Sequence, residues 1–484
     1  MAGMIRPTLF LAAAAWLSAL TIHAAKKPNV LFIFADDQCY ETVGALGLTD
    51  IETPNLDRLA ASGVSFTRAY NMGSWSGAVC VASRHMLNTG RFLWQAHAVH
   101  RKAEEERAAG RWWSEHMKKA GYKTYFTGKW HVRAKAENCF DVARNVRPGM
   151  PNQTPAGYNR PLPGKPDPWS PYDPKFEGFW KGGRHWSSIV ADDALEYLGM
   201  AKKHVKEKRQ PFFAYVAFNA PHDPRQAPKS FIDKYPLSRI ELPKSFLPGY
   251  PYRDKIGCQH GLRDEKLGPM PRTEHAVKVH RQEYYAIITH MDVQIGRILD
   301  ALEKSGMADD TYVFYSADHG LGVGHHGLFG KQNLYEHSTR VPFIVSGPGI
   351  PKGKSVPAPV YLQDVMPSSL EIAGVKKPGH VQFHSLMALA RGESKKSNYD
   401  AVYGAYLGLQ RSVTVNDKKL ILYPNVPLAR LYDLAADPLE LKDLAGNKAH
   451  LPLMKKLFAR LSDLQKETAD DLDLTKTFPA LAKR

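Results

Sequence analysis

Four apolar runs of this chain lead directly into residues that can bind a metal ion or transfer a proton. The runs are residues 29–35, 124–127, 212–218 and 311–315, and the residues that follow them are Asp36 and Asp37, Lys129 and His131, His222, and Asp318 and His319. Carboxylates together with an imidazole are suitable ligands for a hard divalent cation. Lysine and histidine side chains can bind an anion or act as general acids and bases.

The spacing of these runs predicts how the fold brings the polar residues together. Continuous apolar strands that alternate with helices are typical of a parallel sheet covered on both faces. Helices are predicted to begin at Pro54 and to cover residues 187–203 and 282–302, where apolar residues recur at spacings of three and four. Because ligands of such sheets bind beyond the carboxyl ends of the strands, the four polar endings should converge on one site.

Two insertions differ from the rest of the chain. Residues 138–180 and 221–272 are rich in proline, and the first also carries Trp169, Tyr172 and Trp180. Long irregular segments in a compact domain are usually functional loops or disordered segments. The aromatic residues favour ordered loops that form the walls of a cleft.

The pattern changes near residue 365. Short antiparallel strands are predicted at 399–406, 410–415 and 418–423, with a turn at Asn416-Asp417, and an amphipathic helix follows. This pattern indicates a small α+β subdomain that carries a short antiparallel sheet. The predicted division is a signal peptide at 1–25, a catalytic α/β domain at 26–365 and the C-terminal subdomain at 366–484.

The composition excludes several classes of protein. The chain has 484 residues, of which 43% are hydrophobic, and only 4 are cysteines, so it is neither a disordered chain nor a disulfide scaffold. Its formal net charge is +17. This charge is consistent with a polyanionic partner (nucleic acid, anionic lipid or sulfated glycan), or with a dispersed solvated surface.

The N-terminal segment predicts export. Arg6 precedes the apolar run 9–20, which is too short to span a bilayer of about 30 Å, so the pattern indicates a secretory signal peptide and no membrane anchor. We therefore expect a secreted or periplasmic protein. In that compartment cysteines can form disulfides, although the sequence does not determine their pairing. The cysteines are Cys39, Cys80, Cys139 and Cys258.

The segment Cys80-Val81-Ala82-Ser83-Arg84, followed by Thr89-Gly90-Arg91, resembles the signature of the type I sulfatases. That signature is Cys-x-Pro/Ala-x-Arg followed by Thr-Gly-Arg, and its cysteine is oxidised to formylglycine. Other segments that resemble the family follow its order along the chain: 35–38, 53–57, 128–131, 221–222, 318–320, 330–331 and 431–438. The resemblance covers most of the mature chain.

The resemblance implies a fold, a metal ion and a modification. The expected fold is that of the alkaline phosphatase superfamily, with a large, mostly parallel central sheet sandwiched by helices. One divalent ion, calcium, and a formylglycine made from Cys80 by a maturation enzyme are also implied. The implied metal ligands are Asp36, Asp37, Cys80, Asp318 and His319.

The resemblance further implies a catalytic role for six residues: Cys80, Arg84, Lys129, His131, His222 and Lys331. The hydrated formylglycine at position 80 would attack sulfur and form a sulfate hemiester. His131 would then deprotonate its second hydroxyl, and this step would expel sulfate. Arg84 and Lys129 would hold the formylglycine oxygens. His222 would protonate the leaving alcohol oxygen, and Lys331 would bind the sulfate.

Secretion and a basic surface favour a sulfated poly- or oligosaccharide as the substrate over a small aryl or choline ester. Aromatic residues can stack on sugar faces, and arginines can bind further sulfates or carboxylates. The predicted glycan contacts are Trp94, Arg184, His185, Asp223, Arg225 and His326.

Two other functions are compatible with the sequence. One is a catalytically silent protein that binds sulfated glycans and keeps an unconverted Cys80. The other is a phosphatase or phosphodiesterase of the same superfamily, which would be expected to use a serine or threonine nucleophile and two transition metals. Only charge supports nucleic-acid binding, so we expect no nucleic-acid partner. The sequence does not determine the oligomeric state.

Overall fold

The computed structural model describes residues 27–483. The predicted signal peptide at 1–25 lies outside the described residues. Within residues 27–483, no helix combines the length and the apolar character that a membrane crossing requires.

Strands and helices both occur throughout the described range and are numbered in chain order. The strands are β1 (Asn29–Ala35), β2 (Val64–Phe66), β3 (Ala69–Tyr70), β4 (Gly73–Ser74), β5 (Lys123–Lys129), β6 (Val142–Arg147), β7 (Phe212–Ala217), β8 (Thr311–Ala317), β9 (Arg340–Val341), β10 (Phe343–Ser346), β11 (Lys354–Val356), β12 (Val360–Tyr361), β13 (Val402–Tyr406), β14 (Gln410–Val415), β15 (Lys418–Tyr423) and β16 (Leu428–Asp433). The helices are α1 (Pro54–Ala61), α2 (Val79–Thr89), α3 (Leu93–His100), α4 (Ala103–Ala108), α5 (Trp113–Lys119), α6 (Ala136–Cys139), α7 (Trp186–Lys208), α8 (Lys229–Ile232), α9 (Glu274–Lys304), α10 (Glu336–Thr339), α11 (Val365–Ile372), α12 (Met387–Ala390), α13 (Leu451–Thr468) and α14 (Pro479–Ala482).

In the part of the chain that the structure describes, the largest sheet has eight strands in the order β11-β2-β10-β8-β1-β7-β5-β6. Its central strands β8, β1, β7 and β5 are neighbours and run parallel, with Phe32 of β1 opposite Tyr215 on one side and Phe314 on the other. Strand β10 is antiparallel to both of its neighbours. The prediction of a large, mostly parallel sheet is therefore confirmed.

The central strands form because they are apolar on both faces. Every residue of β1, β7 and β8 is buried. Aromatic rings fill one layer of the core: the Phe32 ring lies 5.0 Å from Tyr215 and 5.4 Å from Trp113, measured between ring centroids. Burial of each such side chain contributes about 2 kcal/mol.

One glycine shapes the strand end that carries Lys129. Gly128 has a φ of +95°, and a Cβ at this position would lie 1.8 Å from the Ala217 carbonyl oxygen of the adjacent strand. The register between β5 and β6 also shifts between Thr127 and Lys129. Only glycine allows this close approach and turn.

The two long helices extend beyond their predicted ends. The larger difference is in α9, which begins at Glu274 instead of residue 282. Its first turns contain the polar residues His280 and Arg281, which obscure the apolar periodicity but are buried. They are tolerated there because His280 hydrogen-bonds the Arg160 carbonyl and Arg281 pairs with Glu41.

A five-stranded sheet near the C terminus has the order β16-β15-β14-β13-β4. The predicted turn at Asn416-Asp417 joins β14 to β15, and both turn residues have positive φ, 46° and 64°. The sequence did not predict β16 or β4. Strand β4 is only two residues long and comes from the N-terminal half of the chain. Residues 365–390 contribute several side chains to the main core.

A buried ion pair attaches the end of the chain to this sheet. Arg411 of β14 donates to both carboxylate oxygens of Asp470, at 2.6 and 2.7 Å, and both side chains are buried. Tyr403 and Gln465 donate to the same carboxylate, at 2.8 Å each. Removal of only one partner of such a pair strongly destabilises a protein, because the other charge stays buried without compensation.

We expect Asp470→Asn to lower the free energy of unfolding by about 3 kcal/mol, because it leaves the Arg411 charge uncompensated. Urea titration followed by circular dichroism measures this change. The matched control is Asp463→Asn, which removes an exposed carboxylate 3.4 Å from Lys466 and should leave stability nearly unchanged. Equal stability of the two variants would show that the pair does not hold the C-terminal segment.

Candidate active site

The four predicted strand endings meet at one edge of the central sheet. Lys129 at the end of β5 hydrogen-bonds the Asp36 carboxylate beyond β1. The Asp37 backbone donates to the Asp318 carboxylate beyond β8, at 3.1 Å. His222, in the loop after β7, lies 3.5 Å from the Asp37 carboxylate through its Nε2 atom. The convergence follows from the parallel order of these strands.

Cys80 lies at the centre of this cluster, in the first turn of α2. Its sulfur is 3.3 Å from His319 Nε2, 3.7 Å from Asp37 Oδ1 and 3.7 Å from Lys331 Nζ. The residue is 2% exposed. Its position in the first turn also places it at the positive end of the helix dipole.

The surroundings of Cys80 favour a negative charge. Burial raises the pKa of its thiol, but the positive charges of Lys129, Lys331 and His319 outweigh burial and hold that pKa well below the usual range. A group at position 80 that carries or develops negative charge is therefore stabilised by fixed cations.

Five side chains could hold a metal ion. Asp36, Asp37, Cys80, Asp318 and His319 are buried, and one donor atom of each lies within 4.8 Å of the others. Burial, together with the charge of Asp318, raises the pKa of Asp36. Asp36 Oδ1 is buried and lacks a hydrogen-bond partner among the described residues. This oxygen-rich set fits a hard divalent cation, which would compensate the clustered carboxylates.

His319 is oriented for such a role. Its Nδ1 atom lies 2.8 Å from the Gly320 carbonyl, to which it donates, so that Nε2 faces the cluster. Burial lowers the pKa of His319, but the carboxylates of Asp318 and Asp37 outweigh burial and raise it to about 9. A bound cation would take the place of that proton.

Arg84 lies one helical turn after Cys80 and contacts three strand ends. Its Nε donates to Asp318 at 3.0 Å, its Nη1 donates to the Lys129 carbonyl at 2.8 Å, and its Nη2 lies 3.6 Å from Asp36. The guanidinium is fully buried, and the charges of Asp318 and Asp36 raise its pKa despite that burial. Arg84 therefore carries a fixed positive charge next to position 80.

Lys331 and His222 form the opposite wall of the cluster. Lys331 Nζ lies 2.6 Å from Asp37 Oδ2 and 2.9 Å from His222 Nε2. His222 Nδ1 is 2.8 Å from the Asp223 carboxylate, which Arg263 also binds at 2.7 Å. Burial lowers the pKa of His222, but the carboxylates of Asp37 and Asp223 raise it above its ordinary value. This wall presents the Lys331 ammonium and the His222 ring to a bound anion.

His131 contacts Cys80 from a third side. It directly follows Trp130 beyond the end of β5, has a φ of 57°, and lies close enough to Cys80 for the charge of each group to affect the pKa of the other. Burial lowers its pKa, so the imidazole is neutral near pH 7 and can accept a proton. Its Nδ1 atom is buried without a hydrogen-bond partner among the described residues.

The six predicted glycan contacts have other partners in the structure. Asp223 binds His222, as described above, and Arg225 lies beside His280. Trp94 donates to Tyr403 within the C-terminal core, and Arg184 pairs with Asp192 on the surface. His185 is the N-cap of α7. His326 stacks on Tyr335. Whether any of the six side chains contacts a glycan stays a prediction.

The structure adds residues that the sequence did not indicate. Asp264 lies 3.7 Å from Lys331 Nζ, its neighbour Arg263 binds Asp223, and Tyr284 donates to the Asp37 carbonyl at 2.6 Å. Asp264 and Arg263 come from the second proline-rich insertion, which lacks periodicity. Tyr284 occupies a helix face where an aromatic residue is typical of the core.

The cysteines are unpaired. Cys39, Cys80, Cys139 and Cys258, which all lie within residues 27–483, are buried free thiols. None of the disulfides that the sequence left open is formed among these residues.

Comparison with known proteins identifies the family of the chain. The family model described as sulfatase matches residues 28–375, and the model for the C-terminal part of N-sulphoglucosamine sulphohydrolase matches residues 324–467. A sulfatase of Formosa agariphila is 30% identical, covering 90% of this chain and 87% of its own. The N-acetylglucosamine-6-O-sulfatase of Bacteroides thetaiotaomicron is 25% identical, covering 92% and 88% respectively.

A solved structure has the same fold. It is an enzyme in complex with its substrate D-glucosamine-2-N,6-O-disulfate, with a TM-score of 0.72 and 23% identity, and the match covers 92% of this chain and 99% of that one. The family match, the relatives and the shared fold agree. This chain belongs to the sulfatase family of the alkaline phosphatase superfamily and is a sulfuric ester hydrolase.

Proposed function

We propose that the chain is a secreted or periplasmic sulfatase that removes sulfate from a sulfated poly- or oligosaccharide, with a formylglycine made from Cys80 and one calcium ion. The observation that carries this proposal is the position of Cys80. Its sulfur contacts Asp37, His319 and Lys331, and the positive charge of Lys129 also acts on it, so position 80 lies within a cluster of paired carboxylates and cations. The formylglycine would supply the oxygen nucleophile for sulfur.

The residues of the metal cluster would hold calcium. The three carboxylates of Asp36, Asp37 and Asp318 provide hard oxygen ligands, and His319 provides a nitrogen. When bound, the ion would neutralise negative charge on the sulfate ester and orient its oxygens. Lys129 and Arg84 bind the same carboxylates from outside, which keeps the ligands in place.

The cations around position 80 would bind and orient the sulfate group. Lys331 and His222 lie side by side with Lys331 Nζ close to the Cys80 sulfur, so a sulfate at this point contacts both. Asp223 supports the protonated form of His222, which can then donate a proton to the leaving alcohol oxygen. Neutral His131, on another side of position 80, would accept a proton when sulfate is released.

A glycan substrate is supported by the basic character of the chain and by its relatives. Relatives of this chain include proteins named N-acetylglucosamine-6-O-sulfatase and ulvan-active sulfatase. The net charge of +17 suits a polyanionic substrate. The predicted signal peptide would place the enzyme where extracellular polysaccharides occur.

The first test concerns Cys80. After expression with a formylglycine-generating enzyme, we expect mass spectrometry of the tryptic peptide 69–84 to show an aldehyde in place of the thiol. Cys80→Ala should lower kcat/KM for sulfate esters by at least about 10³-fold, because the nucleophile is lost. Cys139→Ala, which removes a buried thiol of the main core, should stay active. A fully active enzyme with an intact thiol would contradict the proposal.

The second test concerns the metal. Dialysis against a chelator should abolish activity, and Ca²⁺ should restore it better than Mg²⁺, which demands a smaller octahedral site. Asp36→Asn should raise the calcium concentration for half-maximal activity by at least about 10-fold, because one charged ligand is lost. Unchanged activity after verified removal of bound metal would refute a metal-dependent mechanism.

The third test concerns the substrate. Sulfated oligosaccharides of defined structure should be desulfated with a kcat/KM at least about 10-fold above that for aryl sulfate or choline sulfate, because remote contacts contribute to transition-state binding. Released sulfate, measured by ion chromatography, reports this. Preference for choline sulfate would overturn the glycan assignment, and faster cleavage of aryl phosphate would favour a phosphatase.

A further inference from the structure

A cavity of about 400 Å³ lies beside His131, and we refer to it as the His131 pocket. It opens to solvent and is lined by the segment 130–137, by Val146 and Pro148, and by Val81 and His100. Its volume is in the range typical of small-molecule sites. Its walls are largely apolar, with a few polar groups at one side, which is also typical of such sites.

The pocket adjoins the reacting position. Val81, which lines the pocket, is the residue after Cys80, and His131 lies close enough to Cys80 for the charge of each group to affect the pKa of the other. The free Nδ1 atom of His131 is buried and lacks a partner among the described residues. Two residues that line the pocket, Val81 and His131, are therefore immediate neighbours of position 80.

The pocket wall is held in a fixed shape. The Trp130 indole donates to the Ala134 carbonyl, which closes the segment into a turn. The Trp130 backbone donates to the Arg147 carbonyl at 2.8 Å, and its ring packs against Phe126 and Phe140. These contacts tie the pocket to the edge of the central sheet, so binding there needs little reorganisation.

Two unpaired cations lie at the rim. Arg133 and Lys135 are exposed, and neither side chain forms an ion pair with any of the residues 27–483. Many other arginines of the chain are paired, for example Arg144 with Glu196 at the same sheet edge. Glu137 is a carboxylate on the same rim and is also unpaired within the described range.

His100 provides a further polar group in the pocket wall. Its Nε2 atom is buried without a hydrogen-bond partner among the described residues. Burial and the nearby charge of Arg133 lower its pKa, so the ring is neutral at pH 7. A neutral imidazole can bind a sugar hydroxyl as donor or acceptor.

We propose that the His131 pocket binds a sugar unit next to the scissile sulfate ester, and that Arg133 and Lys135 bind a second anionic group on that unit. The second group is a carboxylate or a further sulfate, both of which match the hydrogen-bond donors of arginine. The inference rests on the proposed function and narrows its substrate class to oligosaccharides with an additional anion. The partly exposed apolar residues of the wall, Val81, Val132 and Val146, would contact the sugar.

The test compares substrates that differ only in the second group. Three disaccharides carry the same scissile sulfate, and the neighbouring unit is neutral, carries a carboxylate or carries a second sulfate; aryl sulfate is the reference without a sugar. The calcium-loaded, formylglycine-containing wild type is compared with the double variant Arg133→Gln/Lys135→Gln. Lys202→Gln, which removes an exposed lysine on α7, is the matched control.

For the anionic disaccharides, we expect the double variant to lose about 10- to 100-fold in kcat/KM, mainly through KM. Its activity on the neutral disaccharide and on aryl sulfate should be unchanged, which also shows that the variant is folded. Glu137→Gln should raise kcat/KM for the anionic disaccharides, because it removes a negative charge from the rim of the pocket. The carboxylate and sulfate substrates together show which anion the pocket prefers.

Equal kcat/KM of the double variant and the wild type on all disaccharides would overturn the inference, and so would a uniform loss on every substrate. Failure of the proposed function has a different signature: the wild type would cleave aryl sulfate but none of the sulfated disaccharides.

Discussion

The site depends on one buried guanidinium. Arg84 reaches Asp318 beyond β8, the Lys129 carbonyl at the end of β5 and the Asp36 carboxylate beyond β1, so a single side chain links three parallel strands at their carboxyl ends. A charged group without solvent is stable only if opposite charges and hydrogen bonds around it compensate the loss of water. The positions of Asp36, Lys129 and Asp318 are therefore fixed by one electrostatic requirement.

The same requirement explains why Cys80 lies where it does. Arg84 and Cys80 are one turn apart on α2, so fixing the guanidinium also fixes the first turn of the helix against the strand ends. The cations then surround position 80 before any substrate arrives. Preorganised charge of this kind lowers the energy of a transition state without reorganisation of solvent. Burial of the apolar strands β1, β7 and β8 stabilises the fold and offsets the free-energy cost of burying such a polar cluster.

Much of this arrangement could be predicted from the sequence. Strands β1, β7 and β8 are apolar on both faces, so they stand out as continuous runs, and the residues after them meet because the strands are parallel. The remaining predicted catalytic residues follow from the motif that contains Cys80 and Arg84 and from the motif at the end of β5, which contains Lys129 and His131. The net charge of +17 does not by itself identify a partner. The structure shows that three of the positive side chains, Arg84, Lys129 and Lys331, lie inside the fold around position 80.

The features of the fold and the site that the sequence does not predict depend on tertiary contacts, which leave no local sequence pattern. The first turns of α9 have a polar sequence because His280 and Arg281 are buried by pairing, which no periodicity reveals. Residues Arg263 and Asp264 reach the site from an irregular insertion. The contact of Trp94 with Tyr403 is likewise not evident from the sequence, because these residues are far apart along the chain.

The central claim is that this buried charge cluster holds one metal ion and one sulfate group. Anomalous diffraction from crystals grown with Ca²⁺ and selenate, a tetrahedral analogue of sulfate, tests it directly. We expect a calcium peak among Asp36, Asp37, Asp318 and His319, and a selenium peak beside position 80 in contact with Lys331 and His222. Carboxylates that remain paired with Lys129 and Lys331, with both peaks elsewhere or absent, would contradict it.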